Sequence, residues 1–465
     1  MAELESLYTA DEMRAAEARY PGYPGTASEL MERAGARAAQ VALQVLPGAH
    51  RFTVVCGGGS NGGDGRIVAR LLEAEGKDVR IVDAKAGETD LGEPDAIVDA
   101  LFGTGFSGGP RDDAATLIEC INVSSARVLA IDLPSGVDAS TGEIAGDAVR
   151  ADATVTFHGR KVGLVVAPGR FHAGIVHVED IGLDAMDTEH RAVGPEVLRR
   201  VPRRHEGDNK YTAGHVLVVG GSRGLTGAPS LSALAAMRAD AGYVTVAAPE
   251  STLPVFEQRL LEAVKRPLPD EDGRVGAGAA DVVLELAAKA TAVALGPGLG
   301  RGGGPRELVR RLTAEVELPM VVDADALFEL EPGDWPAPRV LTPHEGELAR
   351  LLGRESKEIA AHRVSSVREA ADRFGCVVLL KGPDTLVAAP GRGLLVVSLG
   401  LPSLATAGTG DVLTGIVAAF LAKGMEPQLA AAAAAAAQQR ASVEATQRAG
   451  LVASDLIEAL PRVLG

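Results

Sequence analysis

Short apolar runs, each closed by a glycine-rich or polar break, recur along both halves of the chain. The first half carries Phe52 to Cys56 (FTVVC), then VRIVDA, DAIVDALFG and VLAIDLPSG, with a helical stretch, GRIVARLLEAEG, after the first. Uninterrupted apolar runs read as strands buried on both faces, and the stretches between them as helical crossovers. That is the pattern of a parallel sheet covered on both sides. Val201 to Tyr211 (VPRRHEGDNKY) is polar, charged and contains Pro202, which predicts a linker. The same pattern then restarts with HVLVVGGSRGLTGAPS and continues through AVALGPGLG, PMVVDADAL, VVLLKGPDT and LLVVSLG to a helical region after GTGD. The expectation is two α/β domains, residues 1–204 and 205–465. No short-period repeat of solenoid type is present. The N-terminal MAELESLYTADEMRAAEARY predicts a polar helix without a signal-peptide core. The alanine run Ala430 to Ala437 is far shorter than the ~20 residues that span a bilayer, and predicts a buried helix.

Charge narrows the function classes. The 465 residues hold 46 basic and 62 acidic side chains, a formal net charge of -16. A nucleic-acid binder needs a basic surface, and aromatics at 3% are too few for stacking platforms, so nucleic-acid partners are not expected. Cys56, Cys120 and Cys376 are widely spaced and suggest buried free thiols rather than a disulfide framework. The chain reads as cytoplasmic.

The glycine loops carry the candidate chemistry. Gly57, Gly59 and Gly62 satisfy G-x-G-x-x-G directly after a strand, with Asp83 where a ribose-binding acid would sit. Against a dinucleotide-binding dehydrogenase stands Asp64, whose carboxylate would compete with a pyrophosphate at the helix start. A plain helix cap is the other reading of Asp64. Asp99 and Asp132 lie at the ends of later strands, with Ser135 beside the second. Ligands of open parallel sheets bind at the carboxyl ends of strands, so Asn61, Asp99, Asp132 and Ser135 can converge on one crevice. Loop anchoring is the plainer alternative for each acid.

GSNGGDG, DALFGTG and IDLPSGVD, in this order, resemble the NAD(P)H-hydrate epimerase family over most of residues 1–200. The resemblance implies that Ser60, Asn61, Gly62, Gly63 and Asp64, with Gly103, Thr104, Gly105, Phe106, Ser107, Gly108 and Gly109, hold the damaged cofactor. It implies a potassium ion on Asn61, Asp99 and Ser135, and Asp132 as the substrate-binding catalytic acid. Ser60 departs from the usual asparagine while keeping a hydrogen-bonding group.

In the second half no G-x-x-x-x-G-K-[ST] occurs. LATAGTGDVLTG (Leu404 to Gly415) places small residues at a helix start, where exposed N–H groups can cradle an anion. Asp411 follows, placed to accept a hydroxyl proton; packing and capping explain this stretch equally well in isolation. GSRGLTGAP, GPGLG, DADAL with Asp323 and Asp325, TPHEGELARL, KGPDT and AGTGD together resemble the ribokinase-like fold and, within it, the NAD(P)H-hydrate dehydratases. The resemblance implies that Ala228, Gly298, His344 and Asp411 contact the hydrate, with Asp411 catalytic. It implies nucleotide contacts at Lys381, Gly382, Pro383, Asp384 and Thr385, and at Thr406, Ala407, Gly408, Thr409 and Gly410. Phe328, where the family commonly has Asn, and Gln438-Gln439, in place of a His-Gly pair, are departures. His158, His172 and His177 lack metal spacing and read as structural.

The resemblance thus implies a bifunctional repair enzyme. One domain, Rossmann-like with a three-layer parallel sheet, interconverts R and S hydrates (NADHX and NADPHX). The other, ribokinase-like, dehydrates the S form with ADP as co-substrate, in company with a magnesium ion. A homo-oligomer and no membrane partner are expected. Two other classes compete: a ribokinase-like vitamin or sugar kinase, which leaves the first half unexplained, and a non-catalytic nucleotide sensor, which has no need of Asp132 and Asp411.

Overall fold

The computed structural model describes residues 4–465 apart from 329 and 448. The chain divides into two compact units, Ser6–His190 and Arg191–Gly465 with the first five residues.

In the first unit β1 (Glu5–Tyr8) precedes a helix, Ala10–Ala18, so the N-terminal segment is not wholly helical as expected. Thr9 and Glu12 form a reciprocal capping box that starts the helix at Ala10. β2 (Arg51–Cys56), β3 (Asp78–Asp83), β4 (Ala96–Ala100), β5 (Arg127–Ile131), β6 (Ala153–Phe157) and β8 (Ile175–Glu179) form a six-stranded sheet. Its order is β3-β2-β4-β5-β6-β8 and every pairing is parallel. The short β7 (Arg160–Lys161) pairs with β1 instead.

Alternation along the strands makes the sheet two-sided. Val54 and Val98 pack with Ala38, Val68 and Leu72 from the helices Ala27–Val45 and Ser60–Ala74. Their neighbours Val55 and Ile97 pack with Leu117, Ile118 and Ile121 of the helix Asp112–Val123. Both faces are therefore dry, which is why these strands read as continuous apolar runs rather than alternating ones.

The second unit begins before the sequence-based boundary. β9 (Arg191–Ala192) pairs with β20 (Leu395–Val397), and Val193, Val197, Leu198 and Val201 enter this unit's core. The expected linker is exposed from Pro202 to Tyr211 but tethered to this unit: Lys423 Nζ donates to Pro202 O at 3.0 Å, and Arg204 pairs with Asp240 at 2.8 Å. The remaining strands are β10 (His215–Val219), β11 (Tyr243–Pro249), β12 (Val264–Leu268), a small β13–β14 hairpin (Asp270–Glu271, Arg274–Val275), β15 (Ala292–Leu295), β16 (Met320–Val322), β17 (Arg339–Leu341), β18 (Val377–Leu380) and β19 (Thr385–Ala388). The sheet runs β12-β11-β10-β15-β16-β17-β18-β19-β20-β9. The run from β12 to β18 is parallel, and β18-β19-β20 is antiparallel. Ala430 to Ala437 lie in the buried helix Pro427–Glu444, as expected. Alanine suits a helix that other elements crowd on all sides, because it adds no bulk.

Cys56 and Cys376 are buried free thiols and Cys120 is half-buried. Burial pushes the thiols of Cys56 and Cys376 up to about 11 and about 12. No helix among the described residues is long and apolar enough to cross a membrane.

Candidate active sites

In the first unit the glycine-rich segment is a loop only from Gly57 to Gly59. The helix after β2 starts at Ser60, so Asn61 to Asp64 form its opening turns. Close approach explains the glycines: a Cβ on Gly62 would lie 1.9 Å from the carbonyl oxygen of Gly57. Asp64 sits inside the helix and makes no cap; the N-cap is Gly59. Asp83 accepts from Arg66 at 2.7 Å and from the Lys85 amide at 2.9 Å, so it is already engaged.

Asp132 follows the end of β5 with a positive φ of 68°, unusual for a residue with a side chain. Both its carboxylate oxygens are engaged. Oδ2 accepts from the Thr104 amide at 2.6 Å and from the Thr104 hydroxyl. Oδ1 accepts from Lys161 Nζ at 2.8 Å and, more weakly, from Thr156 at 3.4 Å. Burial raises its pKa, but the Lys161 charge and these hydrogen bonds outweigh burial and hold it below the ordinary carboxylate value. Two further carboxyl groups face it. Burial first, then Asp132 and Glu17, pushes Asp64 up to about 8. Glu17 is raised by burial and then by Asp132.

Asp99 is fully buried beside this point, accepting from the Ser135 hydroxyl at 2.6 Å and the Ser135 amide at 2.8 Å. Burial pushes it up to about 6. Asn61 is 7% exposed, and neither polar atom of its amide has a hydrogen-bond partner. Gly103 lies against both Asn61 and Asp132: its Cβ would sit 2.8 Å from Asp132 Oδ2 and 3.2 Å from Asn61 Cγ. The structure thus brings Asn61, Gly103, Thr104 and Asp132 together, with Asp99 and Ser135 paired alongside. Ser60, Gly105 and the Ser107–Gly109 stretch are exposed. Phe106 stacks on Phe102 at 4.5 Å, and both line a cleft of about 500 Å³ with Gly57, Gly58, Lys85 and Ser107. Lys161 escaped the sequence reading. Its only signal was one lysine inside the apolar stretch KVGLVVA, where a charge needs a partner.

In the second unit Asp411 lies in the first turn of the helix Thr409–Ala422, after Gly408 at φ 90°. Burial, and then Asp323, pushes its carboxyl up to about 7 against the opposing pull of Lys381. Asp323 accepts from Lys381 Nζ at 2.9 Å and from the Thr414 hydroxyl at 2.6 Å. A Cβ on Gly410 would lie 3.4 Å from the same Nζ, so Lys381 stands over the turn that opens the helix. The glycines of GPGLG again reflect close approach: Gly296 has φ 119°, and its Cβ would meet the Asp323 carbonyl at 2.0 Å. Ser222 donates to the Gly298 carbonyl at 3.0 Å, joining the GSRGLTGAP and GPGLG loops, and Ala228 lies in the first turn of the helix Gly227–Arg238.

His344 is largely exposed and caps the helix Glu345–Leu352, its Nδ1 accepting from the Gly346 amide at 3.0 Å. Of the expected nucleotide contacts, Asp384 and Thr385 turn their side chains inward. Arg363 binds Asp384 at 3.0 Å and also pairs with Glu345, tying the KGPDT loop to the His344 helix; a Cβ on Gly382 would strike it. Thr409 donates to the carbonyls of Leu404 and Thr406, shaping the turn that carries Thr406, the exposed Ala407, Gly408 and Gly410. The Gln-Gln departure has a clear role: Gln438 donates to the Thr409 carbonyl, and Gln439 accepts from the Leu399 amide at 2.6 Å. Phe328 lies under Arg301, 4.3 Å from the ring centre, which is a cation–π contact.

Residues 216–462 match the family described as NAD(P)H-hydrate dehydratase, and residues 27–91 and 82–163 match the YjeF-related protein N-terminus. A bifunctional NAD(P)H-hydrate repair enzyme of Moorella thermoacetica is 38% identical, covering 94% of this chain and 92% of its own. The chain belongs to the bifunctional NAD(P)H-hydrate repair enzymes. The Escherichia coli member is 34% identical, covering 99% of this chain and 94% of its own. A Bacillus subtilis ADP/ATP-dependent NAD(P)H-hydrate dehydratase, co-crystallised with ATP and Mg2+, aligns with a TM-score of 0.51 at 29% identity. It covers 58% of this chain and 95% of that one. An Enterococcus faecalis ribokinase-like superfamily protein gives a TM-score of 0.51 at 22% identity, covering 60% and 97%. The second unit is ribokinase-like in fold.

Proposed function

We propose that this chain repairs hydrated NADH and NADPH in two steps, one per unit. The first unit interconverts R and S hydrates. The second dehydrates the S form at the expense of ADP, giving AMP, phosphate and the restored cofactor. The observation that carries this reading is similarity to bifunctional repair enzymes along 94% of the chain, with acids in both halves.

In the dehydratase unit, Asp411 accepts the proton of the ring hydroxyl as that oxygen attacks the terminal phosphoryl group of ADP. AMP departs, and phosphate, a far better leaving group than hydroxide, then leaves the ring with its C–O electron pair, while the neighbouring ring carbon gives up a proton to water and its C–H electron pair re-forms the ring double bond. The backbone N–H groups of Thr406 to Gly410 and the Lys381 ammonium face the charge on the transferred group. A magnesium ion bound with the nucleotide would supply further countercharge. The small residues of this turn and the aligned helix start support that role.

In the epimerase unit, Asp132 is the proton-transfer group, and Asn61, Asp99 and Ser135 are the potassium ligands. The unpartnered amide of Asn61 and the buried carboxylate of Asp99 fit a cation of low charge. A bound potassium ion would supply fixed positive charge beside Asp132. Replacing potassium with tetramethylammonium in the buffer should slow R-hydrate conversion and leave S-hydrate dehydration unchanged. Equal R rates in both salts would sink the potassium assignment.

Supplying purified protein with mixed NADH hydrates and ADP, and following the absorbance of the restored dihydronicotinamide, tests the whole reading. Turnover of a vitamin or sugar alcohol in place of hydrates would favour the kinase. A clear rate advantage for ATP at matched concentration would overturn ADP as donor. These small-molecule substrates are its partners in this reading; a homo-oligomeric, cytoplasmic enzyme is the accompanying proposal.

A further inference from the structure

A buried lysine behind Asp132 belongs to none of the motifs described above. Lys161 is 1% exposed, on the short β7 that follows β6. An ammonium group has three N–H donors. Lys161 points them at Thr156 Oγ1 at 2.8 Å, at the Phe157 carbonyl at 2.9 Å and at Asp132 Oδ1 at 2.8 Å. Every donor is used within the protein, and the side chain lies out of reach of solvent. A bound hydrate therefore meets Asp132 and not Lys161.

The surroundings explain why such a group is needed. Asp132 projects from a positive-φ residue, a conformation that persists only when its neighbours over-determine it. Other carboxyl groups crowd it: Glu17 from the helix Ala10–Ala18 and Asp64 from the helix Ser60–Ala74, with Arg14 beside Glu17. His158 is a further titratable neighbour of Lys161. Among these groups Lys161 is the cation paired with Asp132, and it clamps one carboxylate oxygen while Thr104 clamps the other.

We propose that Lys161 is the positioning residue of the epimerase reaction: its ammonium, anchored to Thr156 and Phe157 at the end of β6, holds Asp132 in the rotamer from which it transfers the proton. Lys161 acts only through Asp132. This rests on the epimerase assignment of Asp132 given above.

The test uses the full chain carrying Lys161→Met or Lys161→Arg, with circular dichroism as the measure of folding and the S-hydrate dehydration of the same molecule as the measure of enzyme amount. Lys161→Met should lower kcat for R-to-S conversion about 10²-fold or more, on the scale of losing a general base. KM should stay within about threefold, because Lys161 touches no substrate. Lys161→Arg, which keeps a cation beside Asp132, should recover at least tenfold of that loss. The acid limb of the Lys161→Met pH profile for kcat should move to higher pH, because the charge that holds the Asp132 carboxyl down is gone. A raised KM with kcat retained would show direct substrate binding and overturn the proposal. So would a folded Lys161→Met that loses kcat with its pH profile unmoved, which marks a structural role. If Lys161→Met alone fails to fold, Lys161→Arg carries the test: kcat within about tenfold of the parent supports the proposal and a larger loss overturns it. Wild-type protein without any R-hydrate turnover would instead sink the epimerase reading itself.

Discussion

Asp411 and Asp64 show how burial sets the state of single carboxyl groups. Asp411 must be ionised to accept a proton, yet burial and Asp323 push it up to about 7. Dehydration of S-hydrate should therefore rise with pH through about 7 and level off above it. A pH profile of kcat/KM flat from 5 to 9 would contradict the assignment. Asp411→Asn should lower dehydration by ~10²–10⁴-fold while nucleotide binding, measured by titration calorimetry, survives. Near-normal turnover in that variant would remove Asp411 from the mechanism. Asp64 has a different consequence. A carboxyl raised to about 8 by burial, Asp132 and Glu17 binds its proton more tightly folded than unfolded. Its stabilising protonation is complete below the unfolded value near 4 and is lost as pH rises through 8. Asp64→Asn should thus melt higher than the parent at pH 8, with the gap closing toward pH 4. A parent that melts higher at pH 8 would disprove this.

At the scale of elements, the strands were legible because parallel strands are buried on both faces and leave uninterrupted apolar runs. FTVVC, AIVDA and HVLVV needed no long-range information. The start of the helix Ser60–Ala74 was not legible, because NGGD reads as a loop on propensity alone. Glycine is there for contact, with Gly62 against the Gly57 carbonyl. Gly62→Ala should therefore separate the strand from the helix start and reduce R-hydrate conversion at least tenfold, with dehydration retained. Unchanged epimerase kinetics would show that the turn can relax around a methyl group. β1 was missed because LESLY is too short and mixed to signal a strand. The stretch 191–204 was assigned to the first half because its polar residues hide Val193, Val197, Leu198 and Val201, which pack only with distant parts of the chain. Asp132 and Asp411 announced themselves through local motifs. Lys161 and Arg363 did not, because each finds its partners across the fold and neither has a motif of its own.

At the scale of the whole molecule, each unit carries its own sheet, its own core and its own acids. That arrangement makes the two reactions separable by a single substitution. Asp132→Asn should leave S-hydrate repair intact, because the charged groups that act on Asp411, namely Asp323, Lys381, Asp325 and Glu347, all come from the second unit. R-hydrate would then reach the second site only as fast as it epimerises spontaneously. A mixed substrate should give a fast phase from S followed by a slow tail from R, where the parent consumes both in one faster progress curve. Circular dichroism must accompany the measurement, because Asp132 also holds the Thr104 turn and breaking a buried ion pair costs on the order of 3–5 kcal/mol. A folded variant that loses both phases would show that the units are coupled in function. One that loses neither would place the epimerase chemistry on a residue other than Asp132.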